Sequence, residues 1–482
     1  MEKIYKQLKI TLFKEILYSI ILFIYFFLLP FSATATLSAT TVGTIMGNAP
    51  LFISASSENN LGFTVKDTFY SEQLKNIPKS FDKNLTLNDF IIKTPTDFKF
   101  SPTLNYYDED GDRGKTSDKG AFSIGAITFK WFDNAGQEIS KSQYGKVIGC
   151  GSGFQMPLKL VITLSDIQVH SEYGVPKDSE LYNLTKIYQI NTDSAICFAK
   201  PNQMIVNNNQ TWGSPYHFTQ NGKTDCVLVG YGTVEDSLID PNRGYKGWNK
   251  IGTEYRDSIC GGGYDHNVFD PLNGFYASAY PKFPTTGFSG AQFQLIMTGA
   301  QTDWDYSVNT TPVGSVTVDN NGMVYLNHKP NGTVTVSAKF KSDNSIIHSY
   351  TFNPTKTWVA PKDGVYTYEQ ATQVCHGEEN IPTRAEMSNS PNALDSWKII
   401  PLTWDLFTRT INQGVLSEWG MTTFPNYPKS NWFTGEQWFF SSDEFPLTNQ
   451  YPGRSNRYAI DAWIGQVEVW GKEQKLHAVC KE

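Results

Sequence analysis

With 482 residues the chain is too long for one ordinary domain, and about three or four are expected. An apolar content of 40% against 18% charged residues excludes a disordered chain. A formal charge of −7 argues against nucleic acid or an anionic lipid surface as the main partner, because either requires a positive field.

At the N-terminus, Lys3, Lys6, Lys9 and Lys14 lead into the apolar run Ile16–Phe31, broken only by Ser19 and Pro30, and then Ser32-Ala33-Thr34-Ala35. A basic region, an apolar region and a small-residue exit make residues 1–35 a secretory signal cleaved after Ala35. An uncleaved N-terminal anchor is the alternative, although the run is shorter than the roughly twenty residues that a membrane span takes. Export turns the six cysteines, Cys150, Cys197, Cys226, Cys260, Cys375 and Cys480, into candidates for disulfides. None stands in a C-x-x-C pair, so zinc and thioredoxin chemistry lack support.

Residues 36–139 hold a Ser/Thr/Asn-rich stretch and then a β domain, from about Leu85 to Ile139, that looks Ig-like. In AITFKWF, Ile127, Phe129 and Trp131 face one way and Thr128 and Lys130 the other, the period of a half-buried strand. LKLVITL repeats the device with Leu158, Leu160, Ile162 and Leu164 inward. Asn/Gly/Asp turns such as Asp133-Asn134-Ala135-Gly136 and Asn331-Gly332 separate such runs, as in β-sandwiches. YYDEDGDRG places Asp108, Asp110 and Asp112 on alternate positions around Gly111, as a calcium loop begins. The closing glutamate of an EF-hand would fall at Lys119, so the stretch reads as an acidic hairpin turn, with a looser calcium site as the alternative.

Residues 140–292 form a Gly- and aromatic-rich, mostly β block with Cys150, Cys197, Cys226 and Cys260, whose pairing the spacing does not decide. CGGGYDHN, Cys260–Asn267, reads as a tight turn near a disulfide, with a binding loop as the alternative. Residues 293–358 carry SVTVDNNGMVYL and TVTVSAKF, in which Val334, Val336, Ala338 and Phe340 share a face.

From residue 359 to 482 the character changes. Thr367 with Gln370, and Thr383 with Glu386, are capping boxes that open two short helices. The remainder is aromatic and loop-rich. A Cys375–Cys480 bond would close a loop of about a hundred residues and restrict the unfolded chain by about 4.7 kcal/mol.

Three stretches resemble known families. SVTVDNNGMVYL with NGTVTVSAKF resembles the bacterial Ig-like repeats of surface proteins. SEYGVPKDSELYNLTKIYQI, AICFAKPNQM and YPKFPTTGFSGAQFQLIMTG look similar to an adhesion domain of large enterobacterial proteins of the invasin type. Tyr366–Cys375, Pro382–Glu386, Glu418-Trp419-Gly420, the Trp432/Trp438 cluster and His477–Cys480 resemble, in order and identity, the C-type lectin-like domain of invasin and intimin. The resemblance implies a mostly β chain of tandem Ig-like β-sandwich domains with a C-terminal α+β C-type lectin-like domain and a Cys375–Cys480 disulfide. It implies an exported adhesin, at the cell surface or secreted, that is no enzyme and needs no cofactor. The expected partner is a host-cell surface protein receptor, with glycans as a secondary partner and a membrane only through an uncleaved N-terminus. Expected receptor anchors are Trp432, Asp443, Phe445 and Tyr451, and a fragment from about residue 290 to 482 is expected to bind cells.

Two departures bear on this reading. The Glu-Pro-Asn, Gln-Pro-Asp and Trp-Asn-Asp signatures of calcium-dependent sugar binding do not occur between Asp363 and Glu482. A membrane β-barrel like that of invasin and intimin is not expected between Ala35 and the first domain, which leaves the means of attachment open. The competing expectation is a secreted carbohydrate-active or other hydrolytic enzyme with β accessory domains. Its motifs are missing: GCGSGF has no Gly-x-Ser-x-Gly spacing, and no histidines form His-Glu-x-x-His.

Overall fold

The computed structural model describes residues 13–21, 43–54, 61–72, 74–92, 100–116, 120–212, 225–232, 261–394, 405–423, 425–434, 438–445 and 456–482, with backbone alone for 207–212, 225–232, 392 and 394. Of residues 1–35, where a secretory signal is expected, only 13–21 are described, and they are helical. No helix among the described residues is long and apolar enough to cross a membrane. The fold is mostly β, and the chain divides into two compact units.

The first unit is made of Met1–Ile53, Phe100–Ser123 and Ile167–Tyr182. Ile45–Met46 runs parallel to Gly174–Val175, and Leu51–Phe52 antiparallel to Tyr106–Tyr107. The Phe52 ring fills the middle of this small unit, against Phe100, Phe122 and Tyr182.

The second unit holds Ser54–Lys99, Ile124–Asp166 and Asn183–Glu482. In its upstream part, Ala126–Phe132 pairs antiparallel with residues 159–165, and Leu158, Leu160, Ile162 and Leu164 are all buried, as the alternation predicts. Phe63 and Phe90 pack there on Tyr188 and Trp131.

Further along lies a β-sandwich. One sheet takes β1 (Ile196–Pro201), β2 (Phe269–Asp270), β3 (Gly274–Tyr276), then, past β4 (Thr286–Phe288), β5 (Ala291–Met297). The facing sheet begins with β6 (Trp304–Asn309); β7 (Val316–Val318) and β8 (Met323–Leu326) return to the first, and β9 (Val334–Phe340) and β10 (Ile347–Phe352) complete the second. The spatial orders are β2-β3-β1-β5-β8-β7 and β6-β9-β10. The sandwich thus takes in β1, which lies far upstream in sequence, and a disulfide joins Cys197 on that strand to Cys150.

The terminal region follows as β11 (Thr357–Tyr366), α1 (Tyr368–Val374), α2 (Arg384–Met387), α3 (Pro391–Leu394), α4 (Val415–Trp419), β12 (Trp438–Glu444), β13 (Asn456–Asp461), β14 (Val467–Gly471) and β15 (Leu476–Lys481). Its sheet runs β4-β11-β15-β12-β13-β14, so β4, which precedes the sandwich strand β5, forms its edge by parallel pairing with β11. Cys375 after α1 is bonded to Cys480 on β15, with 5.2 Å between the Cα atoms. Sandwich and terminal region share one apolar core that includes Ala199, Phe275, Phe293, Val336, Trp419 and Val479.

In CGGGYDHN the tight turn begins only at Asp265, whose carbonyl accepts the Val268 N–H at 3.1 Å, while the glycines lie along a neighbouring stretch of backbone. Gly261 and Tyr264 bridge in parallel to Leu406 and Arg409, with Gly262 N–H on the Leu406 carbonyl at 3.1 Å and Arg409 N–H on the Gly263 carbonyl at 3.0 Å. The reason for glycine is close backbone approach: Gly261 has φ +71°, and a Cβ there would lie 2.1 Å from the Leu406 carbonyl oxygen. Cys260 lies outside the described residues, and Cys226 lies on a strand described by its backbone alone.

Candidate interaction surface of the terminal region

The terminal region is pinned by its two capping boxes. The Thr367 hydroxyl accepts from Gln370 N–H and that of Thr383 from Glu386 N–H, while Gln370 and Glu386 reach back to the cap N–H groups. Two arginines then clamp aromatic rings. The Arg457 guanidinium lies 4.1 Å from the Tyr368 ring centre, pairs with Glu378 at 2.8 Å and donates to the Ser442 carbonyl at 3.0 Å. Burial and the Glu378 carboxylate push the Tyr368 phenol well above its ordinary range, so it stays neutral and donates to Glu378. The Arg384 guanidinium lies 3.7 Å from the Tyr458 ring centre.

Asp443 and Phe445 come together around Tyr458. The Arg384 N–H donates to Asp443 Oδ2 at 2.6 Å, and the Ser441 hydroxyl donates to the same oxygen at 3.0 Å. The Asp443 side chain is 29% exposed, so part of it still faces solvent. Phe445 meets Tyr458 edge-on at 5.7 Å, and its N–H closes the end of the β12–β13 ladder on the Asn456 carbonyl. Tyr451 lies outside the described residues.

Trp432 requires a correction. It is 2% exposed and packs edge-on against Phe288 at 5.6 Å, with Phe439 beyond, so it serves the core and offers no surface to a receptor. Residue type alone could not show this, since a loop tryptophan has equal reason to face inward.

Sequence reasoning missed the most heavily bonded side chain here. Glu418 is fully buried, yet its carboxylate accepts from the N–H groups of Thr285, Thr286 and Asn412 and from both threonine hydroxyls. Burial pushes its pKa up, and these donors oppose that shift. Arg409, equally buried, donates to the Glu418 carbonyl at 3.0 Å, and burial lowers its guanidinium to about 10, so it remains a cation at neutral pH. The sequence signal was present as an acid beside a tryptophan in SEWG, but nothing local names its partners.

In the first unit, Asp108 Oδ1 accepts the Asp110 N–H at 2.9 Å, Asp112 accepts the N–H groups of Arg113 and Tyr173 at 2.8 Å, and Asp110 accepts from Asn48 N–H. The acids thus order a turn through backbone bonds. Among the described residues no group of three or more His, Cys, Asp or Glu could hold a metal ion. In the same unit His170 bridges the Ser123 hydroxyl at 2.8 Å and the Asp178 carboxylate at 2.7 Å. Those distances match a hydrolytic triad, but Ser123 lies within an antiparallel pair opposite Gln168, not on an exposed strand-to-helix elbow. A cross-strand polar ladder explains the arrangement.

Residues 268–352 match the family model described as invasin, domain 4, which supports the resemblance of the chain to invasin/intimin-type adhesins. Among solved structures the chain is similar to invasin, described as a bacterial integrin-binding protein, at 15% identity and TM-score 0.33, covering 75% of this chain and 58% of that one. It is also similar to a mutant intimin of EHEC O157:H7, at 18% identity and TM-score 0.27, covering 45% and 93%. A C-terminal intimin fragment in complex with the intimin-binding domain of the translocated intimin receptor matches at 13% identity and TM-score 0.28, covering 75% and 100%. The chain therefore spans 58% of the invasin structure it matches.

Proposed function

We propose that the chain is an exported, non-enzymatic adhesin whose C-type lectin-like terminal region holds a host-cell surface protein, with the upstream β domains as spacers. The observation that carries this is the match of residues 268–352 to invasin domain 4. The solved invasin is described as integrin-binding, and intimin was solved with its receptor's binding domain, which supports a protein partner over a glycan. In this reading residues 1–35 direct export, the domains upstream of the sandwich serve as spacers, and the sandwich with the terminal region presents the contact. The contact centres on Asp443 and Phe445, which precede Tyr451 in the sequence; a few anchors amid many near-neutral contacts carry most of the energy of a protein interface.

Saturable binding of the labelled, disulfide-intact full chain to epithelial cells tests the proposal. The D443N/F445A variant is expected to bind at least about tenfold more weakly, a loss of about 1.4 kcal/mol. Unchanged binding by that variant would move the contact elsewhere, and absence of saturable binding to any cell type would remove the adhesive function itself.

A further inference from the structure

The Glu418 carboxylate belongs to α4 of the terminal region, but four of its five donor groups belong to Thr285 and Thr286, on the chain that leads into sandwich strand β5. The two hydroxyls lie at 2.7 Å, and the Thr285 and Thr286 N–H groups at 3.0 and 2.9 Å from Oε2. A second hold adjoins it. Trp419 donates its ring N–H to the Thr286 carbonyl at 3.1 Å, and its ring packs on Phe283 at 4.9 Å and Phe288 at 5.5 Å. From the sandwich side, the rings of Phe269 and Phe275 approach the Arg409 guanidinium at 4.9 and 5.6 Å, and Arg409 in turn holds the Glu418 carbonyl.

A buried carboxylate is costly unless its lone pairs are filled. Here they are filled only while β4 lies along β11, in the register Thr286 to Thr357 and Phe288 to Val359. Conversely, lifting β4 away would strand Glu418 without four of its donors and would leave the Thr285 and Thr286 N–H groups unmet. Each side therefore satisfies the other's polar groups at a place neither can hydrate.

We propose that Glu418 is the latch that makes the sandwich and the terminal region one cooperative unit, so that its loss lets the terminal sheet open while the sandwich stays folded. The shared apolar core supplies adhesion between the two parts but does not by itself set their register, because apolar contact is non-directional. The directional bonds to β4 do.

Peptide-resolved hydrogen exchange of the full chain across a denaturant series is the test. In the unaltered chain, β11 and β15 should lose protection at the same denaturant concentration as β5 and β8. In E418A the opening constant of β11 and β15 should rise on the order of a hundredfold more than that of β5 and β8, since hydrogen bonds to a charged group are the strong ones. F440L, altered inside the terminal region's own small cluster with Tyr368 and Ile381, should lower both sheets together. Should E418A fail to fold, T285V/T286V removes the hydroxyl donors alone and should give the same separation with smaller amplitude. If E418A or the threonine pair lowers both sheets together as F440L does, or if the unaltered chain already loses them separately, the latch is refuted.

Discussion

His348 lies against the Trp304 ring, with 5.5 Å between ring centroids, and its Nε2 meets the Ser194 hydroxyl at 2.8 Å. Burial holds its pKa below the ordinary 6.5, and burial does the same to His477, stacked on Phe433 at 3.7 Å. Well above 6.5 both folded and unfolded chains carry these rings neutral, and they contribute nothing to a pH dependence. Below it the unfolded chain takes up the proton first, so stability falls as pH falls toward the folded values. The urea midpoint should therefore drop between about pH 7.5 and about pH 5.5. H348Q should flatten that drop relative to the unaltered chain, which separates His348 from the other titrating groups; an unchanged slope would mean that His348 titrates alike in both states.

Short helices illustrate what an element takes from its own sequence. The α2 turn is only Arg384–Met387, too short to persist by propensity, and its start is fixed by the Thr383 hydroxyl on Glu386 N–H at 3.2 Å and by Glu386 on Thr383 N–H at 2.7 Å. T383A should cost about 1 kcal/mol, seen as a lower urea midpoint with the slope unchanged. Both capping boxes and the inward faces of Leu158–Leu164 and Val334–Ala338 were readable beforehand, because each rests on contacts a few residues apart. The Cys375–Cys480 bond came from resemblance, not from spacing. The strand Thr286–Phe288 was not readable: Thr-Gly-Phe has no alternation to count, and its partner Thr357–Val359 is set by long-range packing. Gly261–Gly263 read as a tight turn, because glycine carries no side chain that would name the Leu406 backbone it approaches. Residue type in a loop-rich stretch is the one sequence signal for Asp443, Phe445 and Trp432 alike, and it does not tell the buried Trp432 from the two half-buried residues.

At the scale of the molecule, the sandwich and terminal region cannot be cut where the sequence suggested. A fragment from about residue 290 to 482 would lack β1, which sits between β3 and β5 in the middle of a sheet, and β4, the edge of the terminal sheet. It would also lack Phe269, Phe275, Phe283 and Phe288, which fill the shared core, and the Thr285 and Thr286 donors to Glu418. Burying one such aromatic ring is worth about 1.5–3 kcal/mol, so losing four would exceed a large part of the stability of an ordinary domain. That fragment is expected to show collapsed amide dispersion in NMR spectra and no cooperative thermal transition, even with Cys375 and Cys480 oxidised, since the disulfide constrains the unfolded chain but does not fill the vacated core. A longer chain that begins upstream of Cys150 restores β1, its tether to Cys150 and β4 together, and should recover both signals. A well-dispersed, cooperatively melting fragment without residues 196–288 would show that the terminal region folds on its own. Cell binding by such a fragment would then have to be weighed without the sandwich.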